Sequence, residues 1–268
     1  MSGVNFSGLR IGLWGSGRVA SALAPALVAA GHRVVFVAAR HAASAAVLAA
    51  TLPGCAALPE ATVLPPPADV YLLAVPDAAV PALLAAVAWP AGAVVVHLAG
   101  ALPLAVFEAQ PTVQGGVFYP LQTFSPGRVI AWLEVPLFVE AATPVAEALL
   151  LALAHSLSQQ VQLLGSAQRL QLHLGAVFAS NFTNHLLGLA QTLLHEAELP
   201  FALLHPLVHE TIAKALAAQP SAFAVQTGPA IRHDAPTLAA HQAALAGHPA
   251  WQALYARLTV SIQRASDE

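Results

Sequence analysis

Over the first 165 positions, short runs of contiguous apolar residues alternate with alanine-rich stretches. Short, mainly apolar runs occur at Leu9-Trp14, Arg33-Ala38, Val70-Val75 and Ala93-Leu98. They predict strands buried on both faces of a parallel sheet. Between them, Val19-Ala30, Ala42-Ala50 and Ala78-Val87 have helical composition and are bounded by Gly, Pro or Asp. Right-handed crossovers then give a doubly wound α/β sheet. Further short strands at Gly116-Tyr119, Pro136-Glu140 and Gln160-Leu164, with a helix from Pro144 to Leu157, complete the sheet. After Gly165 the pattern changes. Ala167-Glu198 is one proline-free, helix-compatible stretch, and the shorter helical stretches that follow are punctuated by Pro200, Pro206, Pro220 and Pro229. The expected organisation is a doubly wound domain over residues 1-165 and an all-helical domain over residues 166-268.

Composition narrows the classes. Of 268 residues, 57% are hydrophobic and only 9% charged, which excludes a disordered chain. The mean hydropathy of +0.69 raises the question of a membrane span. The uncharged stretch between Asp77 and Glu108 is interrupted by Pro81, Pro90, Gly92, His97 and Pro103, so no window offers the ~20 uninterrupted apolar residues a span needs. Net charge is -3 and the ten basic residues are scattered, which argues against a nucleic-acid partner. A lone Cys55 leaves neither an intrachain disulfide nor a cysteine cluster for zinc. Met1-Arg10 lacks the basic start and apolar core of a signal peptide, so a reducing, cytoplasmic setting is expected. Lys214 is the only lysine, which removes most candidates for lysine chemistry.

The sharpest local signal is Gly15-Ser16-Gly17-Arg18-Val19-Ala20, which follows the first strand and opens a helix. In this G-x-G-x-x-A arrangement Gly15 permits the tight turn, Gly17 lets the backbone approach a pyrophosphate, and Ala20 allows close helix-sheet packing. Free N-H groups at the helix start attract the anion. At the end of the second strand, where a carboxylate would hold a ribose 2'-hydroxyl, the chain reads Ala38-Ala39-Arg40-His41, with Ser44 beyond. Arg40 can pair with a 2'-phosphate, and His41 and Ser44 can add hydrogen bonds, so NADP is expected over NAD. The alternative is that Arg40 is a solvated surface residue. Val75-Pro76-Asp77 and Ala99-Gly100 lie at carboxyl ends of parallel strands, where ligands bind, and are expected to flank the nicotinamide. Asp77 could equally be an N-cap for the next helix.

These segments, with His97-Leu98-Ala99-Gly100, Tyr119-Pro120-Leu121-Gln122-Thr123-Phe124-Ser125, His173 through Asn181, and Thr227-Gly228-Pro229-Ala230-Ile231-Arg232-His233-Asp234, carry a resemblance over nearly the whole chain. It resembles an uncharacterised bacterial family that joins a Rossmann-like NADP-binding domain to a helical domain of unknown function, related to pyrroline-5-carboxylate reductase and to deazaflavin-dependent NADP oxidoreductases. The resemblance implies a helical domain like that of 6-phosphogluconate dehydrogenase and a homodimer. It does not carry a substrate. The related β-hydroxyacid dehydrogenases place a catalytic lysine on the first helix of the second domain, and here that helix has none.

Its polar residues are instead His173, Ser180, Asn181, Asn184 and His185. At about 100° per residue, His173 and Asn184 fall about 20° apart, a polar stripe suited to a cleft wall. The alternative is that the asparagines bond within a helical core. His97 is an acid-base candidate because imidazole titrates near neutrality, or else a packed strand histidine. No histidine pair has metal-ligand spacing, so no metal is expected.

The functional expectation is an NADPH-dependent reductase of a small C=N or C=O substrate at the interdomain cleft. In it His97 or His173 supplies the proton, Asn181 and Asn184 orient the substrate, and Thr123 or Arg232 closes the pocket. A non-catalytic NADP(H)-binding sensor or assembly module is the alternative.

Overall fold

The computed structural model describes residues 8-267, so the first seven residues of the amino-terminal stretch lie outside the described part. Eight strands form one sheet: β1 (Arg10–Trp14), β2 (Arg33–Ala39), β3 (Ala56–Pro59), β4 (Val70–Leu73), β5 (Val94–His97), β6 (Gln114–Pro120), β7 (Leu137–Ala141) and β8 (Val161–Leu163). Their order is β3-β2-β1-β4-β5-β6-β7-β8. β3 through β6 are mutually parallel, β7 is antiparallel to β6, and β8 is parallel to β7. This is the expected doubly wound α/β sheet of Rossmann-like type. Its order reverses at β1, the topological switch point.

The buried runs explain why the strands form. β4 and β5 are buried at all four positions. Alternate residues serve opposite faces. Ile11, Leu13, Val70, Leu72, Val94 and Val96 pack under α1 (Arg18–Ala29), α2 (Ala42–Ala50) and α4 (Pro144–His155). Trp14, Phe36, Tyr71, Leu73 and Val95 face the other way, against α3 (Val80–Ala86) and Phe107. That second face is aromatic: Trp14 meets Phe36 edge-on at 4.9 Å and Trp89 at 5.1 Å between centroids. A Cβ on Gly12 would stand 2.5 Å from the Phe36 ring, so glycine there lets the ring lie across β1. β3, which the apolar pattern did not place, is a four-residue edge strand with no buried residue.

α4 begins on a built cap. Thr143 accepts a 3.2 Å hydrogen bond from the Ala146 amide, Pro144 sits in the first turn, and Glu147 places negative charge at the helix start. His32 joins the opposite end of α4 to β1. Its Nδ1 accepts from the Leu9 amide at 3.2 Å, and its Nε2 meets Ser156 Oγ at 2.8 Å.

The long helix expected at Ala167-Glu198 is three segments: α5 (Ser166–Ala176), a π-helical turn (Val177–Phe182) and α6 (Thr183–Glu196). The wider turn takes up about one extra residue, a phase change on the order of 100°. The 3.6-residue spacing that was to align His173 with Asn184 therefore does not run through this segment. The chain divides into two compact units between Asn181 and Phe182, inside that turn. The second unit continues with α7 (His205–Ala217), α8 (Ala235–Ala244) and α9 (Pro249–Asp267), all helical as expected. There His248 stacks on Trp251 at 4.0 Å and bonds Glu196 at 2.9 Å, tying the start of α9 to the end of α6. No helix among the described residues is long and apolar enough to cross a membrane.

Candidate nucleotide and proton-transfer site

The glycine turn leaves β1 at the switch point. Gly15 has φ 109°, its amide bonds the Ala38 carbonyl at 2.7 Å, and a Cβ there would sit 2.1 Å from the Ala74 carbonyl oxygen. The fold itself demands that glycine. Gly17 differs. Its φ of -76° suits any residue, it is exposed, and a Cβ would meet nothing within 4 Å. Ala20 is fully buried against the sheet, as close packing requires. Arg18 is exposed and Val19 half-buried, and the first turn of α1 contains no acidic residue to oppose an anion.

Ser16 of this turn and Ser44 of α2 line one open cavity of about 570 Å³, together with Ser21, Ala43, Val47 and Thr51. Arg40 and His41 are exposed at the β2-α2 junction, and His41 precedes α2 without a side-chain capping bond. The residues present thus fit a phosphorylated nucleotide: an uncrowded backbone at a helix start, hydroxyls along the cavity wall, and the exposed Arg40 guanidinium at a strand end that carries no carboxylate.

Val75 is half-buried, and Pro76 and Asp77 are exposed beyond β4. Asp77 does not act as the helix cap considered for it. It opens a short 3₁₀ turn, Asp77–Ala79, and α3 starts later at Val80 with no side-chain cap. Ala99 and Gly100 follow β5, both buried. A Cβ on Gly100 would stand 2.5 Å from His173 Nδ1, so the space that this glycine leaves is taken by the histidine.

His97 is fully buried, stacks on Phe107 at 5.8 Å, and accepts the Ala99 amide on Nδ1 at 3.2 Å, while Nε2 has no hydrogen-bond partner within 3.5 Å among the described residues. Burial pushes its pKa down to about 4. The Arg169 guanidinium acts in the same direction, and Glu140 and the Pro103 carbonyl oppose. A neutral, enclosed ring is a poor source of a proton near neutrality, so the geometry supports the packed-histidine alternative for His97 and leaves His173 as the histidine candidate. His173 is half-exposed on α5, and its Nδ1 lies 3.0 Å from the Tyr119 hydroxyl. Tyr119 is not among the residues expected at the site, although it lies in the Tyr119-Ser125 segment that carries the family resemblance. Burial raises its phenol above the ordinary range, Arg169 opposing and Asp77 adding.

An ion pair on a buried guanidinium underlies this arrangement, and neither partner lies in a recognisable motif. Arg169 is completely buried, bonds Glu140 of β7, and donates to the Leu102 carbonyl at 2.6 Å. Glu140 also accepts from the Ser166 amide at 2.9 Å and from its hydroxyl, and that hydroxyl accepts from the Leu104 amide at 2.9 Å. His173 lies one turn beyond Arg169 on the same helix.

The remaining expected residues fall in both units. Thr123 is exposed in the loop after β6, its amide bonded to Gln122 Oε1 at 2.7 Å. Asn181 is exposed in the π turn of the first unit, whereas Asn184 and Arg232 are exposed in the second. Asp234 caps α8, accepting from the Thr237 amide at 3.2 Å. No group of three or more His, Cys, Asp or Glu among the described residues is placed to hold a metal.

A Rossmann-like domain model matches residues 1–123, and a model of a domain of unknown function, DUF2520, matches residues 135–262. A Bacteroides fragilis structure described as a candidate NADP oxidoreductase is 37% identical, with 97% of this chain and 100% of that one covered at a TM-score of 0.86. The chain belongs to this family. Two more distant structures show the same fold as this Rossmann-like/DUF2520 family. A reductive aminase from Aspergillus terreus, in complex with NADPH and ethyl-5-oxohexanoate, is 18% identical over 97% of this chain and 94% of that one, with a TM-score of 0.67. A 1-pyrroline-5-carboxylate reductase from Streptococcus pyogenes is 14% identical over 97% and 99%, with a TM-score of 0.60. No curated protein matches this family member in sequence.

The lowered pKa of His97 has a signed consequence. Unfolded, the imidazole binds a proton below about 6.5, and folded it does so only near 4, so stability is fully present above pH 6.5 and is lost as pH falls through that window. His97→Asn, whose Oδ1 can still accept the Ala99 amide, is expected to flatten the fall of Tm between pH 6.5 and 4. An unchanged slope in thermal melts would assign the loss to other groups, His32 first among them.

Proposed function

We propose that this protein is an NADP(H)-dependent oxidoreductase that reduces a small C=N or C=O compound. The observation that carries the reading is the contrast between the two glycines of the turn. Gly15 is required by the chain's own carbonyl, whereas Gly17 is required by nothing in the chain, so its bare backbone is explained by a ligand that must come close. The relatives' names, an NADP oxidoreductase and an NADPH-bound reductive aminase, support the same cofactor.

Gly15, Ser16, Gly17, Arg18 and Val19 would hold the pyrophosphate, and Arg40, His41 and Ser44 the 2'-phosphate end. Val75, Pro76, Asp77, Ala99 and Gly100 would border the nicotinamide. When bound, a reduced nicotinamide supplies a hydride. The chain's own part is to fix the electrophile, keep a proton beside it and limit water, with His173 as the histidine candidate for the proton, Asn181 and Asn184 for orienting substrate, and Thr123 or Arg232 for closing the pocket. NADPH consumption measured against small imines, keto acids and aldehydes separates a reductase from a non-catalytic sensor. We also propose a homodimer, supported by the exposed leucines of the long helical segment, Leu170, Leu174, Leu186 and Leu193.

Three outcomes are expected. NADPH should bind more tightly than NADH, and Arg40→Ala should erase a preference of about tenfold to a hundredfold, the 1.5–3 kcal/mol of a charge-assisted contact. Equal dissociation constants for the wild type would refute the 2'-phosphate assignment. Gly17→Val should abolish nucleotide binding in a fluorescence titration while leaving Tm within a few degrees of wild type, since its side chain enters open space. Sedimentation equilibrium at micromolar concentration should return twice the chain mass of 27.5 kDa, and a folded monomer would contradict the dimer.

A further inference from the structure

Tyr119 stands one residue before the end of β6, and Gly100 follows β5, so both lie at carboxyl ends of adjacent parallel strands, the side of the sheet where ligands bind. The Tyr119 hydroxyl is 3.0 Å from His173 Nδ1, with the rings edge to face at 5.9 Å and 74°. Phe138 of β7 backs the tyrosine at 6.3 Å. A Cβ on Gly100 would come within 2.5 Å of the imidazole and 3.0 Å of the Tyr119 ring, so the pair closes on bare backbone. The tyrosine is buried and the histidine half-exposed, which puts one end of the hydrogen bond in a dry place and the other toward water.

We propose that Tyr119 is the proton donor of the reduction and that His173 returns the proton to it from solvent. This deepens the reductase reading above and rests on it. When a C=N or C=O bond is reduced, its carbon gains hydride from the reduced nicotinamide, which leaves oxidised, and the π electron pair passes to nitrogen or oxygen. That atom then takes the Tyr119 phenolic proton, and the phenolate takes one from His173 Nδ1, which water replaces. Electrons and protons balance with no further reactant.

The charges around the phenol suit the role. Burial, with Asp77 beyond β4 adding to it, keeps it protonated. Arg169 of α5 works against them, its charge matched by Glu140 of β7. His97, on β5, is neutral there because its own proton affinity is depressed.

The test needs no substrate. Tyrosine labelled with 13C at Cζ gives resonances from Tyr71, Tyr119 and Tyr255, and Tyr119→Phe identifies the one of interest. Its pKa is read by rapid pH jumps in the free protein, with NADP+ and with NADPH, while a fluorescence titration records binding. A positively charged ring beside the phenol should lower the Tyr119 pKa in the NADP+ complex by at least about one unit relative to the NADPH complex, a tenfold change in its ionisation constant. The His173 Nδ1 resonance in 15N spectra should move on Tyr119→Phe. If both nucleotides bind and the two pKa values agree, Tyr119 is remote from the reacting ring and the proposal falls. If neither nucleotide binds, the cofactor reading fails first and takes the proposal with it.

Discussion

The geometry of the carboxyl edge depends on one buried ion pair. Arg169 reaches from α5 to Glu140 on β7, and the same guanidinium holds the Leu102 carbonyl of the loop after β5. A charge taken wholly out of water persists only where partners and hydrogen bonds compensate it, and breaking such a pair from one side costs on the order of 3–5 kcal/mol. Glu140 spends its other contacts on Ser166, which in turn fixes Leu104. One helix start, one antiparallel strand and one loop are thereby locked together. These contacts fix the start of α5 against β7, and one turn farther on the His173 ring lies against Gly100 and Tyr119.

That lock was invisible in the linear chain. Glu140 and Arg169 are 29 positions apart, and Arg169 and Leu102 are 67 apart. Neither residue belongs to a short motif. Tyr119 was visible as part of a segment but not as a group with a task, because its partner lies 54 positions away. The parallel strands and the glycine turn were legible for the opposite reason. Their determinants are local: short, mainly apolar runs, a φ that favours glycine at Gly15, and a helix that follows at once. The edge strand β3 escaped notice because none of its residues is buried, so burial left no pattern in it. The π turn escaped because helical composition does not distinguish 3.6 residues per turn from a wider winding.

The two faces of the sheet divide the labour of folding and function. One face is closed by three helices with small and branched side chains, and alanine can sit there because the helices come close. The other carries the large aromatic residues and, farther along, the polar groups. In strand register Trp14 is beside Leu73, Leu73 beside His97, His97 beside Val117, and Val117 beside Glu140. A single row of the sheet therefore passes from tryptophan through the buried imidazole to the ion pair.

His97 consequently works as an internal gauge of its neighbours. Its ring is shut off from solvent, so its appetite for a proton is set by burial and by the opposing fields of Arg169 and Glu140. Anything that loosens α5 from β7 changes those fields at a fixed point in the core. The row of the sheet that starts at Trp14 thus carries the state of its far edge to a single enclosed ring at its middle.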